Sequence, residues 1–245
     1  MQINTRSIKS RFEKSMDKYD ENAIVQQEMA EILVKELVRY SNNFDSVLEL
    51  GSGTGILTKK IKKCIGFKKF YANDLVEKSK KYTSYLIPDS CFIHGNALKI
   101  KVPQKMNLII SNAMFQWFSD ISDIISKSTC DLADSGVLAF STFGRENFTE
   151  IRDISGLSLN YASKDEIISK LSSEYDILFA HEYEKVLEFN TPLEMLAHMK
   201  NTGVNSLSSA SWTIKDVKDF CENYMEKFDS VHLTYNPIII IAKLK

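Results

Sequence analysis

The chain has 245 residues, of which 44% are apolar and 26% are charged, a composition typical of folded globular proteins and unlike that of disordered or collagen-like chains. Its 31 Lys and Arg residues nearly balance 32 Asp and Glu residues, so the net charge of −1 provides no general attraction to nucleic acid or to an anionic membrane. No apolar run is long enough to span a bilayer, and the first residues lack the apolar stretch of a secretory signal. We therefore expect a cytoplasmic protein that binds neither nucleic acid nor a membrane.

The cysteines and histidines do not form a pattern typical of a metal site. The four cysteines are widely separated and include no Cys-x-x-Cys pair, and the four histidines are equally scattered. We predict no metal ligands, and free thiols are consistent with a reducing compartment.

Helices and short strands are predicted to alternate through the first part of the chain. Apolar residues recur at three- and four-residue intervals over residues 23–40, which indicates an amphipathic helix. Short apolar runs predict strands at residues 46–50, 70–75, 91–94, 108–111 and 137–141. Because helix-length segments separate these runs, the strands are expected to pair in parallel in a doubly wound α/β sheet.

The later part of the chain has longer extended segments. Residues 175–189 and 231–243 are expected to form strands that add an antiparallel edge to the sheet. Between them, Thr191 and Thr213 each begin a helix-capping pattern, and Gly203 is placed to end the first of the two helices. These helices are expected to cover the open end of the sheet.

Residues 47–58 combine a strand, a glycine-rich turn and a helix start. Gly51, Gly53 and Gly55 allow a sharp turn and a close approach of a ligand to the backbone. A P-loop is disfavoured because Ile56 follows Gly55 where a P-loop has lysine. A dinucleotide is disfavoured because Glu49, ahead of the loop, would repel a pyrophosphate.

Two acids indicate a different ligand. Glu49 suits a cationic amino group, and Asp74, at the end of the predicted second strand, suits ribose hydroxyls. An amino acid joined to a nucleoside is S-adenosylmethionine. Here the chain resembles the class I methyltransferases, whose E/D-x-G-x-G-x-G motif is matched by Glu49, Gly51, Gly53 and Gly55. The alternative is a glycine turn in a Rossmann domain that does not methylate.

This resemblance implies a donor site beyond the carboxyl ends of the strands. Asn96 stands where the family usually has an acid, and its amide could contact the adenine amino group or serve only as a turn residue. The predicted cofactor-binding residues are Glu49, Gly51, Ser52, Gly53, Gly55, Asp74, Leu75, Asn96, Ala97, Ser111 and Asn112.

Further motifs resemble the malonyl-acyl-carrier-protein O-methyltransferases of biotin synthesis, over nearly the whole chain. They are Tyr19-Asp20 with Val25-Gln26, Asn112-x3-Gln116-Trp117, the run Phe140-Ser-Thr-Phe-Gly-Arg145, and LEMLAHMKNTGV at 193–204 with Leu233-Thr-Tyr235. The resemblance implies a Rossmann-like, doubly wound sheet of seven mostly parallel strands with an antiparallel edge strand and N-terminal and inserted lid helices. We expect one domain, 1–245, with N-terminal helices and lid at 1–40, an S-adenosylmethionine-binding core at 45–145, a substrate lid and sixth strand at 146–230, and the last strand at 231–245.

The same resemblance implies methylation of the free carboxylate of a malonyl group on acyl carrier protein. An ionised carboxylate is already nucleophilic, so no general base is required. Arg145 is predicted to hold this carboxylate through two hydrogen bonds, unless it forms an ion pair with Glu146 or another acid. Tyr19 and Gln116 are predicted to complete the catalytic set, unless their role is packing.

Two other functions and one surface remain open from the sequence. The chain could be a class I methyltransferase that acts on a free small carboxylic acid, or a non-catalytic module that binds S-adenosylmethionine or a carrier. The lysine-rich surface could meet an acidic carrier protein or be a solvated helix face; it comprises Lys59, Lys60, Lys62, Lys63, Lys68 and Lys69.

Overall fold

A computed structural model of the protein describes residues 5–203 and 212–245. The first helices and the alternating region are α1 (Thr5–Asn22), α2 (Ile24–Val38), β1 (Asn43–Leu50), α3 (Ile56–Cys64), β2 (Gly66–Asp74), α4 (Ser79–Leu86), β3 (Cys91–His94), β4 (Met106–Ser111), α5 (Ile121–Asp131) and β5 (Leu132–Phe143). The later elements are α6 (Thr149–Ser155), α7 (Lys164–Leu171), β6 (Tyr175–Glu182), β7 (Lys185–Glu188), α8 (Pro192–Asn201), α9 (Ile214–Lys227), β8 (His232–Tyr235) and β9 (Pro237–Leu244). None of the described helices is long and apolar enough to cross a membrane.

Within the described residues, seven strands form one sheet in the order β3-β2-β1-β4-β5-β9-β6. Strands β1 to β5 pair in parallel, whereas β9 runs antiparallel to both of its neighbours, β5 and β6. The predicted doubly wound, mostly parallel fold is confirmed. The antiparallel edge predicted for the two late extended segments is made by β6, the outermost strand, and β9, which lies one position inside it. The isoleucines at residues 238–241 are fully buried, so this strand needs cover on both faces and a neighbour on each side.

The sheet is covered on both faces, and the alternation of side chains along β1 shows how. Val47 packs with the apolar sides of α2 and α3, while Leu48 packs on the opposite face with α5 and α7. Ile239 and Ile240 of β9 divide between the same two faces. Each such buried side chain contributes roughly 1.5–3 kcal/mol to folding, so the two apolar layers hold the carboxyl ends of the strands in fixed positions.

The two long extended segments predicted near the end of the chain are each broken into two strands. Strands β7 and β8 pair with each other in a separate two-stranded sheet. The break between β8 and β9 falls at Asn236, whose backbone oxygen accepts the Gly144 N–H at 2.8 Å. Its side-chain Nδ2 donates to the backbone oxygen of Tyr183, which lies between β6 and β7, at 3.2 Å. Both breaks therefore meet at one junction beside the end of β5.

A third apolar cluster lies beyond the carboxyl end of β5. It joins α2, α6, α8, α9 and β8, with Met195, Tyr224 and Tyr235 fully buried at its centre. The predicted capping patterns that start α8 and α9 are confirmed, since the Thr191 and Thr213 side chains each accept a backbone N–H three residues on. Gly203, with a φ of +72°, lies just after the end of α8, as predicted. These helices thus cover the end of the sheet.

Candidate active site

The glycine-rich turn after β1 folds over the end of β2. The N–H groups of Gly51 and Ser52 both donate to the backbone oxygen of Asn73, at 2.9 and 3.0 Å. Gly51 has a φ of +70°, and a Cβ added there would lie 2.8 Å from the Met114 side chain. Only glycine satisfies both the backbone angle and this close approach.

A cavity of about 270 Å³, here called the loop cavity, opens beyond this turn. Its floor comes from the carboxyl ends of β1 to β4 and the segments that follow them. Helix α1 and the end of α8 cover it. The predicted site residues that line it are Tyr19, Gly51, Ser52, Gly53, Asp74, Leu75, Asn96, Ala97, Asn112 and Gln116.

Asp74 is buried at the edge of the loop cavity. Its Oδ2 accepts the Gly53 N–H at 2.8 Å, and its Oδ1 accepts the Val76 N–H at 2.7 Å. Burial raises the pKa of this carboxyl, and the two N–H groups act in the opposite direction by favouring the charged form. Each carboxylate oxygen keeps a further lone pair that a ligand hydroxyl could use.

Glu49 does not line the loop cavity and is fully buried behind the turn. Its Oε2 accepts the Thr58 hydroxyl at 2.6 Å, whereas its Oε1 has no hydrogen-bond partner among the described residues. Burial, with repulsion from Asp74, raises the pKa of Glu49 to about 8. A buried acceptor without a donor is costly, and a cationic amino group would satisfy it. The acids and the turn therefore fit the amino acid and ribose parts of S-adenosylmethionine.

Asn96 and Asn112 line the loop cavity with side chains that already have partners. Asn96 Oδ1 accepts the Leu98 N–H at 2.9 Å, which is the geometry of a turn residue. Asn112 donates to the Gln26 backbone oxygen at 3.0 Å and accepts the Ser141 hydroxyl at 2.6 Å. Asn112 therefore links α2 to the ends of β4 and β5.

Besides Glu49, two predicted cofactor-binding residues lie outside the loop cavity. Gly55 precedes the first residue of α3 with a φ of +87°, and a Cβ there would lie 2.6 Å from the Leu86 side chain. Ser111 is buried and donates to the Leu50 backbone oxygen at 2.8 Å. In the structure, these two residues shape the turn and join β4 to β1.

Tyr19 and Gln116 approach the loop cavity from different elements. Burial, together with Asp20 and Asp74, raises the pKa of Tyr19, so its hydroxyl keeps its proton and can donate. Gln116 follows β4 in a short 3₁₀ turn, where its Nε2 donates to the Ala113 oxygen at 2.6 Å. Its Oε1 accepts the Thr142 hydroxyl at 3.4 Å, which ties it to the end of β5.

A second cavity of about 690 Å³, here called the arginine cavity, lies beyond β5. Arg145 and Arg152 both line it, and Gln116, Phe118 and Ser119 line both cavities. Arg145 therefore lies next to the loop cavity and not within it. Its guanidinium forms an ion pair with Glu166, not with Glu146, whose own partner is Arg152 at 3.2 Å.

The described residues contain no group of His, Cys, Asp and Glu side chains arranged to hold a metal ion. Among the same residues, no histidine lines either cavity. The arrangement therefore offers hydrogen bonds, a guanidinium and a glycine turn, without a histidine base.

The proteins to which this chain is similar in sequence are methyltransferases. Residues 48–140 match a family described as a methyltransferase domain. The chain is 37% identical over 239 residues to the malonyl-[acyl-carrier protein] O-methyltransferase of Calditerrivibrio nitroreducens, covering 96% of this chain and 95% of the relative. It is 35% identical over 259 residues to the protein of that name from Bacteroides thetaiotaomicron, covering 99% of each. The chain belongs to the malonyl-[acyl-carrier protein] O-methyltransferase family.

Solved structures confirm the fold of this family member. The N-methyltransferase NodS from Bradyrhizobium japonicum, in complex with S-adenosyl-L-homocysteine, superposes with a TM-score of 0.62 over 97% of this chain and 98% of its own, at 11% identity. A putative methyltransferase from Bacillus halodurans also gives a TM-score of 0.62, at 16% identity, over 86% of this chain and 97% of its own. The class I methyltransferase fold predicted from the glycine motif is therefore present.

The N-terminal helices were predicted to form part of the lid, but Tyr19 was the one α1 residue among the predicted site residues of this family member. Ile8, Lys9 and Phe12 line the loop cavity, and a Cβ on Gly53 would lie 3.2 Å from the Phe12 ring. Helix α1 is fixed there by its contacts with the turn, because Asp20 accepts the Thr54 hydroxyl. The helical spacing of Ile8, Phe12 and Tyr19 is a signal that could have indicated an inward face.

Proposed function

We infer that the protein is an S-adenosylmethionine-dependent carboxyl O-methyltransferase. It transfers a methyl group to the free carboxylate of a malonyl group on acyl carrier protein, which forms a methyl ester early in biotin synthesis. One observation carries this assignment: a cavity built around the glycine turn and Asp74 meets a cavity that contains Arg145, and Gln116 lines both. The methyl donor in one cavity and the carboxylate in the other can therefore both lie next to Gln116.

The loop cavity would bind the donor. Asp74 would hold the ribose hydroxyls, and the unpartnered Glu49 Oε1 would accept from the amino group. Leu75, Asn96 and Ala97 would border the adenine. When bound, S-adenosylmethionine supplies an electrophilic sulfonium methyl group.

The arginine cavity would bind the acceptor. The malonyl carboxylate is ionised at neutral pH and is its own nucleophile, so the absence of histidine from the described linings is consistent with this reaction. The Arg145 guanidinium would hold the carboxylate, while Tyr19 and Gln116 would direct one carboxylate oxygen toward the donor. Acceleration would come from this alignment in a site that excludes water.

Helix α1 and the helices between β7 and β8 would act as the lid of one catalytic domain. Helix α1 is tied to the core by Lys59 with Asp20 and by Lys78 with Glu13, each at 3.4 Å. Such exposed ion pairs are weak, so opening α1 would mainly require breaking the Asp20–Thr54 hydrogen bond and the packing of Phe12 on the turn.

Acyl carrier protein is the proposed partner, and the proposal includes neither nucleic acid nor a membrane. The protein would act in the cytoplasm, where its carrier-bound substrate is made. In the lysine-rich surface noted above, Lys59, Lys60 and Lys68 pair with acids of this same chain, so its positive charge is partly neutralised. This surface therefore adds no support to the choice of partner.

A direct assay tests the function. The protein is incubated with S-adenosylmethionine and, separately, malonyl-carrier protein, malonyl-coenzyme A, free malonate and citrate, and methyl esters are measured by mass spectrometry. We expect the highest kcat/KM for malonyl-carrier protein. Methylation of the free acids alone would instead identify a small-acid methyltransferase, and donor binding without transfer to any carboxylate would identify a non-catalytic module.

A further inference from the structure

Arg145 is a central residue of a tight turn that follows β5. The turn is closed by the Asn147 N–H, which donates to the Gly144 oxygen at 3.1 Å. The Arg145 side chain is 58% exposed, and its ion-pair partner Glu166 is 46% exposed. A long, exposed side chain is poorly fixed by its own contacts, so the backbone of this turn determines from which point and in which direction the Arg145 side chain leaves the chain.

Asn236 holds this turn on both sides of Arg145. Its backbone oxygen accepts the Gly144 N–H at 2.8 Å, and its side-chain Oδ1 accepts the Glu146 N–H at 3.2 Å. In return, the Asn236 N–H donates to the Asn147 side chain at 3.2 Å. Asn236 is 3% exposed and Asn147 is 1% exposed, so these bonds are shielded from competing water.

Gly144 allows the Asn236 side chain to lie close to the turn. A Cβ added to Gly144 would lie only 2.2 Å from Asn236 Oδ1, so any other residue would push the asparagine away from the turn. The φ of Gly144 is not in the left-handed region, so the close approach alone explains the glycine. The glycine and the asparagine therefore form a matched pair across the two chain segments.

We propose that Asn236 is a positioning residue that acts through Arg145, by holding the turn of residues 144–147 so that the guanidinium faces the arginine cavity. This inference rests on the proposed function, in which Arg145 holds the malonyl carboxylate. Asn236 does not line either cavity. Its effect should therefore appear in the use of the carboxylate substrate and be absent from donor binding.

The experiment is a double-mutant cycle on the full chain with malonyl-carrier protein. Asn236→Ala should lower kcat/KM for malonyl-carrier protein by about 10- to 100-fold, since a misplaced positioning group costs rate at this scale, while the dissociation constant of S-adenosylmethionine stays within about twofold. In an Arg145→Ala background, Asn236→Ala should change kcat/KM by less than about twofold, because the group through which it acts is gone. Gly144→Ala, whose Cβ would displace Asn236 Oδ1, should reproduce the Asn236→Ala effect, and the melting temperature of each variant shows whether a loss of rate comes from unfolding.

Asn107→Ala is the matched control. Asn107 Oδ1 also accepts a backbone N–H from another element, that of Ser46 at 3.2 Å, at the opposite end of the sheet. This variant should lower the melting temperature and leave kcat/KM unchanged.

The outcomes separate the two hypotheses. Suppose that the wild type is active and Arg145→Ala is impaired. Normal kcat/KM in Asn236→Ala, or full additivity in the double variant, would then overturn the role of Asn236 and leave the proposed function standing. If the wild type is active and Arg145→Ala is unimpaired, the proposal that Asn236 acts by positioning Arg145 would be overturned. A wild type that methylates no malonyl thioester would refute the proposed function itself.

Discussion

Arg145 and Glu166 form an ion pair in the arginine cavity, through Nη2 of the guanidinium and Oε1 of the carboxylate. The second carboxylate oxygen accepts the Ser163 N–H at 2.8 Å, in the capping box that starts α7. The Ser163 N–H, and then the charge of Arg145, lower the pKa of Glu166, which keeps it ionised. If Arg145 holds the substrate carboxylate as proposed, that carboxylate competes with Glu166 for the same guanidinium.

Glu166→Gln should strengthen binding of the carboxylate substrate. Glutamine at this position preserves the capping box but removes the competing charge. Because exposed ion pairs are weak, we expect KM for malonyl-carrier protein to fall by only about two- to fivefold, and less at high salt. Asp216→Asn, at the equivalent position of the α9 capping box, is the control and should leave KM unchanged. A higher KM in Glu166→Gln would mean that Glu166 aligns Arg145 and does not compete for it.

Arg145→Ala should remove most turnover while leaving S-adenosylmethionine affinity nearly intact. Loss of a guanidinium that holds the reacting carboxylate should lower the rate by about 30-fold to several thousand-fold. Arg145→Lys should recover little, because an ammonium lacks the two-pronged geometry. Lys218→Ala, which removes an exposed ion pair with Glu222, is the control for loss of a surface cation. Reduced thermal stability with a normal rate would show that Arg145 serves only as a loop ion pair.

The features that could be predicted from sequence depend on short stretches of chain. The turn at Gly51 and Gly53, the caps at Thr191 and Thr213, and the alternating strands and helices are set by neighbouring residues, and the structure contains each of them. Local chemistry was sufficient because a glycine angle or a cap bond spans only a few residues.

The features that could not be predicted depend on contacts between distant segments. The position of β9 inside the sheet, and the breaks at Asn236 and Tyr183, follow from pairing across the whole chain. The separation of Arg145 from the loop cavity has the same origin, because it depends on where the turn after β5 lies relative to Gln116. Spacing along the chain carries little information about such distances.

Asp74→Ala should weaken donor binding. The variant removes a buried acceptor from the proposed ribose site and leaves the Gly53 and Val76 N–H groups without their partner. We expect S-adenosylmethionine binding to weaken by roughly 1.5–3 kcal/mol, as measured by calorimetry. Asp45→Ala, which removes only a surface ion pair with Lys68, should have no effect. An unchanged dissociation constant in Asp74→Ala would remove Asp74 from the donor site.

Glu49 should make the stability of the ligand-free protein depend on pH. Burial raises its pKa from 4.5 to about 8, so between these values the folded state binds more protons at this site than the unfolded chain does. Its contribution to the free energy of unfolding therefore decreases as the pH rises through this window. Relative to the wild type, Glu49→Gln should gain stability with a slope of at most about 1.4 kcal/mol per pH unit. Urea unfolding at several pH values measures this slope, and parallel curves for the two proteins would contradict it.

The affinity for S-adenosylmethionine should also depend on pH through Glu49, but it should rise with pH where the stability of the ligand-free protein falls. A cationic amino group beside the unpartnered Glu49 Oε1 stabilises the carboxylate, so donor binding lowers the pKa of Glu49 from about 8 and releases a proton. S-adenosylmethionine should therefore bind more tightly as the pH rises toward 8, by up to about tenfold per pH unit, until its own amino group loses its proton. Methylthioadenosine, which lacks the amino acid part, should show no such dependence on the wild type, and Glu49→Gln should abolish the dependence for S-adenosylmethionine. Calorimetry in buffers of different ionisation enthalpy counts the released proton, and equal pH profiles for the two ligands would show that Glu49 does not face the amino group.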